Sequence, residues 1–200
     1  MSTDVVHKVR AAGVVGAGGA GFPTHVKLQA EVQRVLANGA SCEPLLASDP
    51  YLMTHHADLV IDGLRRVMEC TRADKGTICI KSKHGSALEA LRSRSTVDST
   101  AGDIAVFELE DFYPAGDEFI LVNEVLGKTV PEGGIPLNVK VVVSNVESLM
   151  NISLAMRGKP VTDRYLTVCG EVVRPMIVKA PVGTPVHDVI ALAGGPKVAN

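Results

Sequence analysis

The sequence predicts an α/β fold with a mainly parallel sheet, followed by the start of a smaller module of strands and a helix. Short β-branched segments alternate with helical patterns as far as residue 157, an order typical of parallel sheets that are covered by helices. After residue 160 the pattern changes to strand, strand and helix. Hydrophobic residues make up 46% of the 200 residues and charged residues 21%, which is a composition able to fill a core.

The elements of the larger, N-terminal part follow from residue spacing and from turn-forming residues. Gly13 can end the first helix, and Pro23 is suited to the first turn of the second. Apolar residues from Leu52 to Met68 recur at helical spacing. The predicted elements in order are helices at 3–12 and 24–31, a strand at 32–40, a helix at 50–71, a strand at 76–82, a helix at 84–94, a strand at 103–111, a helix at 117–127, a strand at 140–145 and a helix at 147–157.

The smaller module begins after the Gly-Lys-Pro segment at 158–160. Residues 164–172 and 175–183 predict a β-hairpin, and residues 186–195 predict a short helix that ends in glycines. Strand, strand and helix form only the opening of an α+β module. We therefore expect the 200 residues to be part of a longer protein.

Charge and hydropathy exclude several classes of function. Lys and Arg number 20 against 22 Asp and Glu, so nothing indicates the basic surface of a nucleic-acid-binding protein. No run of about 18 apolar residues could span a membrane, and residues 1–10 lack the apolar centre of a signal peptide. We therefore expect a cytoplasmic protein with no direct membrane span and no nucleic-acid partner.

The four cysteines are far apart in the sequence. Cys42, Cys70, Cys79 and Cys169 include no CxxC pair, which zinc and iron–sulfur sites normally use, and the six histidines are equally scattered. We predict no metal site. Cys70, Cys79 and Cys169 lie on patterns typical of a core. Cys42 has two interpretations, a small buried side chain or a redox-active thiol in a cofactor loop.

The densest cluster of glycines lies between residues 13 and 21. It contains the G-x-G-x-x-G pattern, with glycines at Gly16, Gly18, Gly19 and Gly21. Glycine lets backbone N–H groups approach a phosphate closely, and a helix that begins near Pro23 would point its positive end at the anion. The alternative is an ordinary tight turn. A Rossmann dinucleotide site fits poorly, because no clear strand precedes the glycines; a mononucleotide or flavin phosphate site fits better.

Five ordered segments carry a recognisable pattern. They are GVVGAGGAGFPTHVK (13–27), NGASCEPLLASDPYLM (38–53), FYPAGDE (112–118), GKTVPEGGIPLNVKVVVSNVESLMNI (127–152) and RYLTVCGEV (164–172). Together they closely resemble the family of the Rnf-complex C subunit, which includes the cobalamin-reductase-like protein of propanediol utilisation and the proline-reductase-associated electron-transfer protein. They are more distantly similar to the NADH-oxidising flavoprotein subunit of respiratory complex I. The resemblance extends over nearly the whole chain.

The resemblance implies a Rossmann-like FMN-binding domain over residues 1–160 and a partial soluble-ligand-binding β-grasp module over 161–200. It implies electron transfer through FMN, which accepts hydride from NADH or NADPH and passes electrons to iron–sulfur centres or a partner reductase. Those centres are expected in further sequence or in a partner. Relatives work in a membrane-bound complex, in a microcompartment or beside a soluble reductase, so other electron-transfer subunits are the implied partners.

The resemblance also implies roles for single residues. The four glycines would wrap the FMN, and Phe22 would lie near the nicotinamide nucleotide. Glu43 would lie near the reactive face, beside Cys42, and these two are the candidate catalytic residues. The complete set of implied cofactor contacts is Gly16, Gly18, Gly19, Gly21, Phe22, Lys27, Asn38, Glu43, Tyr113, Gly116, Asp117, Glu118 and Asn145. Neutral amides among them are suited to the pyrimidine edge of a flavin ring.

Three positions depart from the family pattern. Ser41 stands where the family commonly has Glu, Ala17 where the complex I relatives carry Arg, and Ser144 where they have the first of two asparagines. Ser41 leaves the oxidation of NADH open. The alternative function is a non-catalytic scaffold or ligand-binding subunit of an electron-transfer complex, with a degenerate nucleotide site.

Two groups of charged residues also have ordinary structural interpretations. Asp117 and Glu118 are suited to a helix N-terminus, where the helix dipole stabilises acids, and this is compatible with a flavin-site role. Lys81, Lys83 and His84 form a small basic cluster. We interpret that cluster as solvated surface rather than as a docking patch.

Overall fold

The computed structural model describes residues 2–95 and 103–198, and it confirms the α/β fold with a parallel sheet. The helices are α1 (Ser2–Ala11), α2 (Thr24–Lys27), α3 (Ser48–His55), α4 (Ala57–Thr71), α5 (Gly85–Ser95), α6 (Glu118–Leu126), α7 (Val146–Met156) and α8 (Val186–Leu192). The strands are β1 (Arg34–Asn38), β2 (Lys75–Lys81), β3 (Asp103–Leu109), β4 (Val141–Asn145), β5 (Asp163–Val168) and β6 (Met176–Pro181). No helix within these ranges is long and apolar enough to cross a membrane.

The larger sheet has four parallel strands in the order β3-β2-β1-β4. The chain moves outward from β1 to β2 and β3 and then returns to the other side of β1 for β4. The connections therefore diverge between β1 and β4. In open α/β sheets this switch point, at the carboxyl ends of the strands, is where ligands bind.

The sheet buries both of its faces, as parallel sheets do. Successive side chains of β1 point to opposite faces, so Val35 and Ala37 belong to one core and Leu36 to the other. The first core lies under α1, α3, α4, α5 and α7. The second core is smaller and lies between the sheet and α6, where Leu121 and Val122 are fully buried.

The second module is a two-stranded antiparallel hairpin of β5 and β6, with α8 packed against it. Val168, Val178 and Val189 are at the centre of its small core. The boundary between residues 160 and 161 stays a prediction, and residues 199–200 of the predicted module lie outside the described ranges.

Two predicted helices are wrong in length. The helix expected at 50–71 is broken at His56, whose side chain lies 3.2 Å from the Tyr165 hydroxyl in the second module. The helix expected at 24–31 ends at Lys27, because the chain turns so that the Val32 N–H can donate to the Thr71 carbonyl at 3.1 Å. The break at His56 and the end at Lys27 both lie beside tertiary hydrogen bonds. The spacing of apolar residues in the sequence cannot reveal such bonds.

The hairpin strands are shorter than predicted. The first was expected to extend to residue 172, but β5 ends at Val168, and Gly170 enters the turn with φ +86°. Cys169, predicted to be in the core, is therefore exposed, whereas Cys70 and Cys79 are buried as predicted.

Helices α4 and α7 pack closely at Gly63. A Cβ atom added there would overlap the backbone carbonyl of Leu149, which cannot move without shifting α7. Since α7 follows directly after β4, this contact helps to place the carboxyl edge of the sheet.

We expect Gly63→Ala to destabilise the protein by about 1–3 kcal/mol, because overpacking forces backbone shifts. Urea unfolding measures the change. Gly85→Ala, at the start of α5, is the matched control, because nothing lies within 4 Å of an added Cβ there. Equal stability of the two variants would contradict the close packing of α4 on α7.

Candidate functional site

A crevice of about 280 Å³ lies at the switch point of the larger sheet. Asn38 and Asn145 are the last residues of β1 and β4 and are direct register partners. The crevice collects most of the predicted site residues from four separate stretches of the chain. Its walls are formed by Gly16, Gly18, Ala20, Phe22, Thr24, Lys27, Asn38, Gly116, Asp117, Glu118, Val143, Ser144, Asn145 and Ser148.

The glycine-rich loop closes one side of the crevice. The Gly16 N–H donates to the Phe22 carbonyl at 2.8 Å, so the loop returns on itself. The Ala17 N–H donates to the Ser148 hydroxyl of α7 at 2.8 Å, which ties the loop to the helix. Gly19 and Gly21 have φ of +118° and +63°, values that favour glycine, and they shape the loop rather than line the crevice.

The two asparagines organise the opposite edge. The Asn38 side chain donates to the Gly116 carbonyl at 2.8 Å and accepts from the Ala40 N–H at 3.1 Å. The Asn145 side chain caps α7 by accepting from the Glu147 N–H at 2.9 Å. The positive end of an 11-residue helix is therefore directed at the crevice wall.

Lys27 is the cation that lines the crevice within the described residues. Its Nζ donates to the Val143 carbonyl at 2.8 Å and lies 5.4 Å from the centre of the Phe22 ring. Burial lowers the pKa of Lys27, and the negative charge of Glu118 opposes that shift. The site thus holds a partly desolvated ammonium group beside an aromatic ring.

Asp117 and Glu118 enter the crevice from the start of α6. Asp117 is its N-cap, with the carboxylate accepting from the N–H groups of Phe119 and Ile120 at 2.9 and 3.2 Å. The helix N-terminus predicted for these acids is confirmed. Gly116 packs so closely on Ala40 that an added Cβ would overlap the Ala40 carbonyl, which explains the glycine.

Cys42, Glu43 and Tyr113 line a different space, an adjacent open cavity of about 640 Å³. Tyr113 is 77% exposed, and neither Cys42 nor Glu43 reaches the crevice wall. The basic cluster lies on the same cavity. The interpretation of Lys81 as solvated surface is wrong, because its side chain is 8% exposed and pairs with Asp111 at 3.1 Å.

Asp49 is a residue of the site region that the sequence did not indicate. It lies in the first turn of α3 and is buried, and it accepts from the Ser41 hydroxyl at 2.8 Å and from the Asn145 amide at 3.2 Å. Burial raises the pKa of Asp49, while those two hydrogen bonds and the charge of Arg164 lower it. In sequence it is indistinguishable from any acid at a helix start.

The family assignment rests on direct comparison with known proteins. The model of the Nuo51 FMN-binding domain matches residues 9–154, and the model of the SLBB domain matches residues 165–200. The chain belongs to the Nuo51 FMN-binding domain family. The antiparallel β5–β6 sheet falls within the SLBB match.

Curated relatives resemble the chain over nearly its whole length. It is 47% identical to the cobalamin reductase PduS of Citrobacter freundii, covering 96% of this chain and 42% of that protein. It is 39% identical to the C subunit of the Na⁺-translocating ferredoxin:NAD⁺ oxidoreductase complex of Acetobacterium woodii, covering 98% and 45%. The chain therefore spans less than half the length of these relatives.

A solved structure shares the fold. An NAD⁺-reducing NiFe hydrogenase in the H₂-reduced state superposes with a TM-score of 0.85 at 22% identity, covering 98% of this chain and 40% of the hydrogenase chain. At this level of sequence identity the likeness shows that the hydrogenase chain and this chain share a fold.

We expect the cysteines to react with iodoacetamide in order of exposure. Cys169 should be labelled first and half-buried Cys42 more slowly. Cys79 should resist labelling in the folded chain, because burial raises its pKa to about 12 and leaves the thiol protonated. Peptide mass spectrometry measures the rates, and urea should make all four reactive. Equal native rates for Cys79 and Cys169 would contradict the described burial.

Asp49 should make stability depend on pH. Folding raises its pKa, so the folded chain binds this proton more tightly, and the stabilisation is complete below the unfolded pKa and lost as pH rises through the folded pKa. Asp49→Asn should therefore lose less stability between about pH 4 and pH 7 than the natural chain. Urea midpoints across that range measure it, with exposed Asp188→Asn as the control. An unchanged pH dependence in Asp49→Asn would refute the raised pKa.

Proposed function

We propose that the crevice binds FMN and that the chain is the flavin module of an electron-transfer protein. The donor would be NADH or NADPH, and the acceptor iron–sulfur centres or a partner reductase. The supporting observation is the convergence of the glycine loop, Lys27, Asn38 and Asn145 at the switch point of a chain in the Nuo51 FMN-binding domain family.

The phosphate end of FMN fits the chemistry of the glycine loop. The N–H of Gly18 has no hydrogen-bond partner within the described ranges, and Gly18 lines the crevice beside the start of α7. Free backbone N–H groups and a helix N-terminus are the usual components of a phosphate site. Lys27 adds a positive charge on the same wall.

The ring end of FMN fits the two asparagines. Each side-chain amide has two N–H hydrogens, and one is used on Gly116 by Asn38 and on Asp49 by Asn145. Within residues 2–95 and 103–198, the second hydrogen of each amide has no partner and can donate to a ligand. Neutral donors of this kind can hold the polar edge of a flavin without adding charge.

A smaller apolar recess of about 150 Å³ adjoins the crevice and supports a second ligand. It shares Phe22, Lys27 and Glu118 with the crevice, and Ile135 forms part of its far wall. Phe22 and Ile135 are 39% and 49% exposed, so both present apolar surface to a ligand in the recess. We propose that the flat base of a nicotinamide nucleotide packs there.

When bound, FMN would accept a hydride and release its electrons one at a time. The residues of the chain would bind and orient the ligands and exclude water from the reacting face. Hydride transfer needs no side-chain base, so Cys42 and Glu43 are not required at the reacting atoms. Their cavity adjoins the site through Gly116, against which the Cys42 thiol packs.

The alternative function is a scaffold with a degenerate nucleotide site. The presence of serine rather than an acid at position 41 favours it. The Ser41 hydroxyl donates to buried Asp49, and Ser41 is not among the residues that line the crevice. Replacing Ser41 by Glu would place a second carboxylate against that buried one. Direct reduction of bound flavin is therefore a cleaner test than this substitution.

The partners of the module follow from its relatives. The C subunit of the ferredoxin:NAD⁺ oxidoreductase, for example, is part of a multi-subunit complex. We propose that this chain likewise passes electrons to other electron-transfer subunits, and that it works in the cytoplasm, at the periphery of a membrane complex or inside a microcompartment. Iron–sulfur centres would lie in further sequence or in those partners.

The chain reconstituted with FMN should bind about one flavin, and NADH or NADPH should bleach the flavin absorbance without oxygen. Lys27→Met should weaken FMN binding roughly 10-fold or more, because a charged hydrogen bond contributes about 1.5–3 kcal/mol. Lys8→Met, on the exposed face of α1, is the control. No stoichiometric flavin binding by folded protein would refute the proposal, and binding without bleaching would favour the scaffold.

A further inference from the structure

The second module contacts the glycine loop through the side chain of Arg164. Arg164 is on β5, and its guanidinium donates to the Ala17 carbonyl at 3.0 Å, across 147 positions of sequence. Its Nε lies 3.2 Å from the carboxylate of Glu147, in the first turn of α7. The guanidinium thus joins β5 to the glycine loop and to α7, both of which line the crevice.

Glu147 holds Arg164 in this place. The Glu147 side chain is only 4% exposed, and it also accepts from the Tyr165 N–H at 3.2 Å. A buried carboxylate needs such partners, because burial without them is costly. Arg164 is the cation that opposes the burial-raised pKa of both Glu147 and Asp49.

Ala17 is held on both sides. Its N–H donates to Ser148 and its carbonyl accepts from Arg164. The 17–18 peptide is trans, and in a trans peptide the carbonyl and the next N–H point in opposite directions. An Ala17 carbonyl turned toward Arg164 therefore turns the Gly18 N–H away from that side chain, and Gly18 is one of the residues that line the crevice.

The contact from Arg164 brings a positive charge to the glycine loop. Residues 16–22 of the glycine-rich loop include no Lys or Arg. The charge that contacts its backbone comes instead from the second module. An arginine can serve a carboxylate and a carbonyl at once because its donors are arranged in a planar fork.

We propose that Arg164 is a positioning residue for the flavin phosphate, orienting the Gly18 N–H and lending positive charge to the glycine loop from the SLBB module. This inference rests on the proposed binding of FMN. It means that the phosphate site is completed by a residue outside the segment matched by the FMN-binding domain model.

The test compares the affinity of the full chain for FMN and for riboflavin, which lacks the phosphate. Flavin fluorescence titrations give both affinities. Arg164→Gln should lower the FMN-to-riboflavin affinity ratio about 10-fold or more and leave riboflavin binding nearly unchanged. Arg164→Lys, which keeps the charge but loses the fork, should recover part of the ratio. Arg174→Gln, exposed in the β5–β6 loop, removes the same charge and should keep the natural ratio.

An unchanged affinity ratio in Arg164→Gln would overturn the inference, whether both affinities fall together or neither does. If Arg164→Gln fails to fold, a natural ratio in Arg164→Lys would overturn it equally, because the lysine cannot hold Ala17 and Glu147 together. If the natural protein binds FMN but the variants keep its FMN-to-riboflavin affinity ratio, only the role of Arg164 is refuted. Natural protein that binds neither flavin refutes the proposed function as well.

Discussion

The parallel pairing of β1 with β4 is the constraint on which the site depends. It sets Asn38 opposite Asn145 at the carboxyl edge of the sheet, because register partners on adjacent strands lie side by side. The neighbouring elements are positioned from this edge. Asn145 caps α7, Asn38 holds the Gly116 loop, and the Val143 carbonyl of β4 accepts from Lys27. One backbone register therefore organises three walls of the crevice.

The two modules are coupled through polar contacts as well as through packing. The Thr167 hydroxyl of β5 accepts from the N–H groups of Ala47 and Ser48 at 3.0 and 3.1 Å, at the start of α3. Arg164 reaches the glycine loop, and the Tyr165 N–H binds Glu147. Neighbouring residues of one strand thus contact the glycine loop, α7 and the start of α3. A loop alone holds a cofactor imprecisely because it is flexible. Contacts from a strand restrict the conformations of the loop.

Buried charge near the crevice is balanced by a small number of partners. Asp49 and Glu147 are both buried, and the charge of Arg164 acts on both. Ser41 and Asn145 complete the hydrogen bonds of Asp49. Because these residues share partners, changes at any one of them are expected to be felt by the others, and their effects should not simply add. Ser41, which departs from the family pattern, is one of these hydrogen-bonded residues, because its hydroxyl donates to Asp49.

The sequence by itself determined the alternation of strands and helices, through local periodicity, and the family, through contiguous motifs. The resemblance to that family in turn implied most of the residues that line the crevice. Asp117 as a helix-capping acid belongs to the same class, since capping is decided within three residues. Only the tertiary structure separated Cys42 and Glu43 from the crevice, broke the helix at His56, exposed Cys169 and brought in Asp49 and Arg164. Each of these features depends on contacts between residues that are distant in sequence. The spacing of residues along the chain does not show which distant segments come together in the fold.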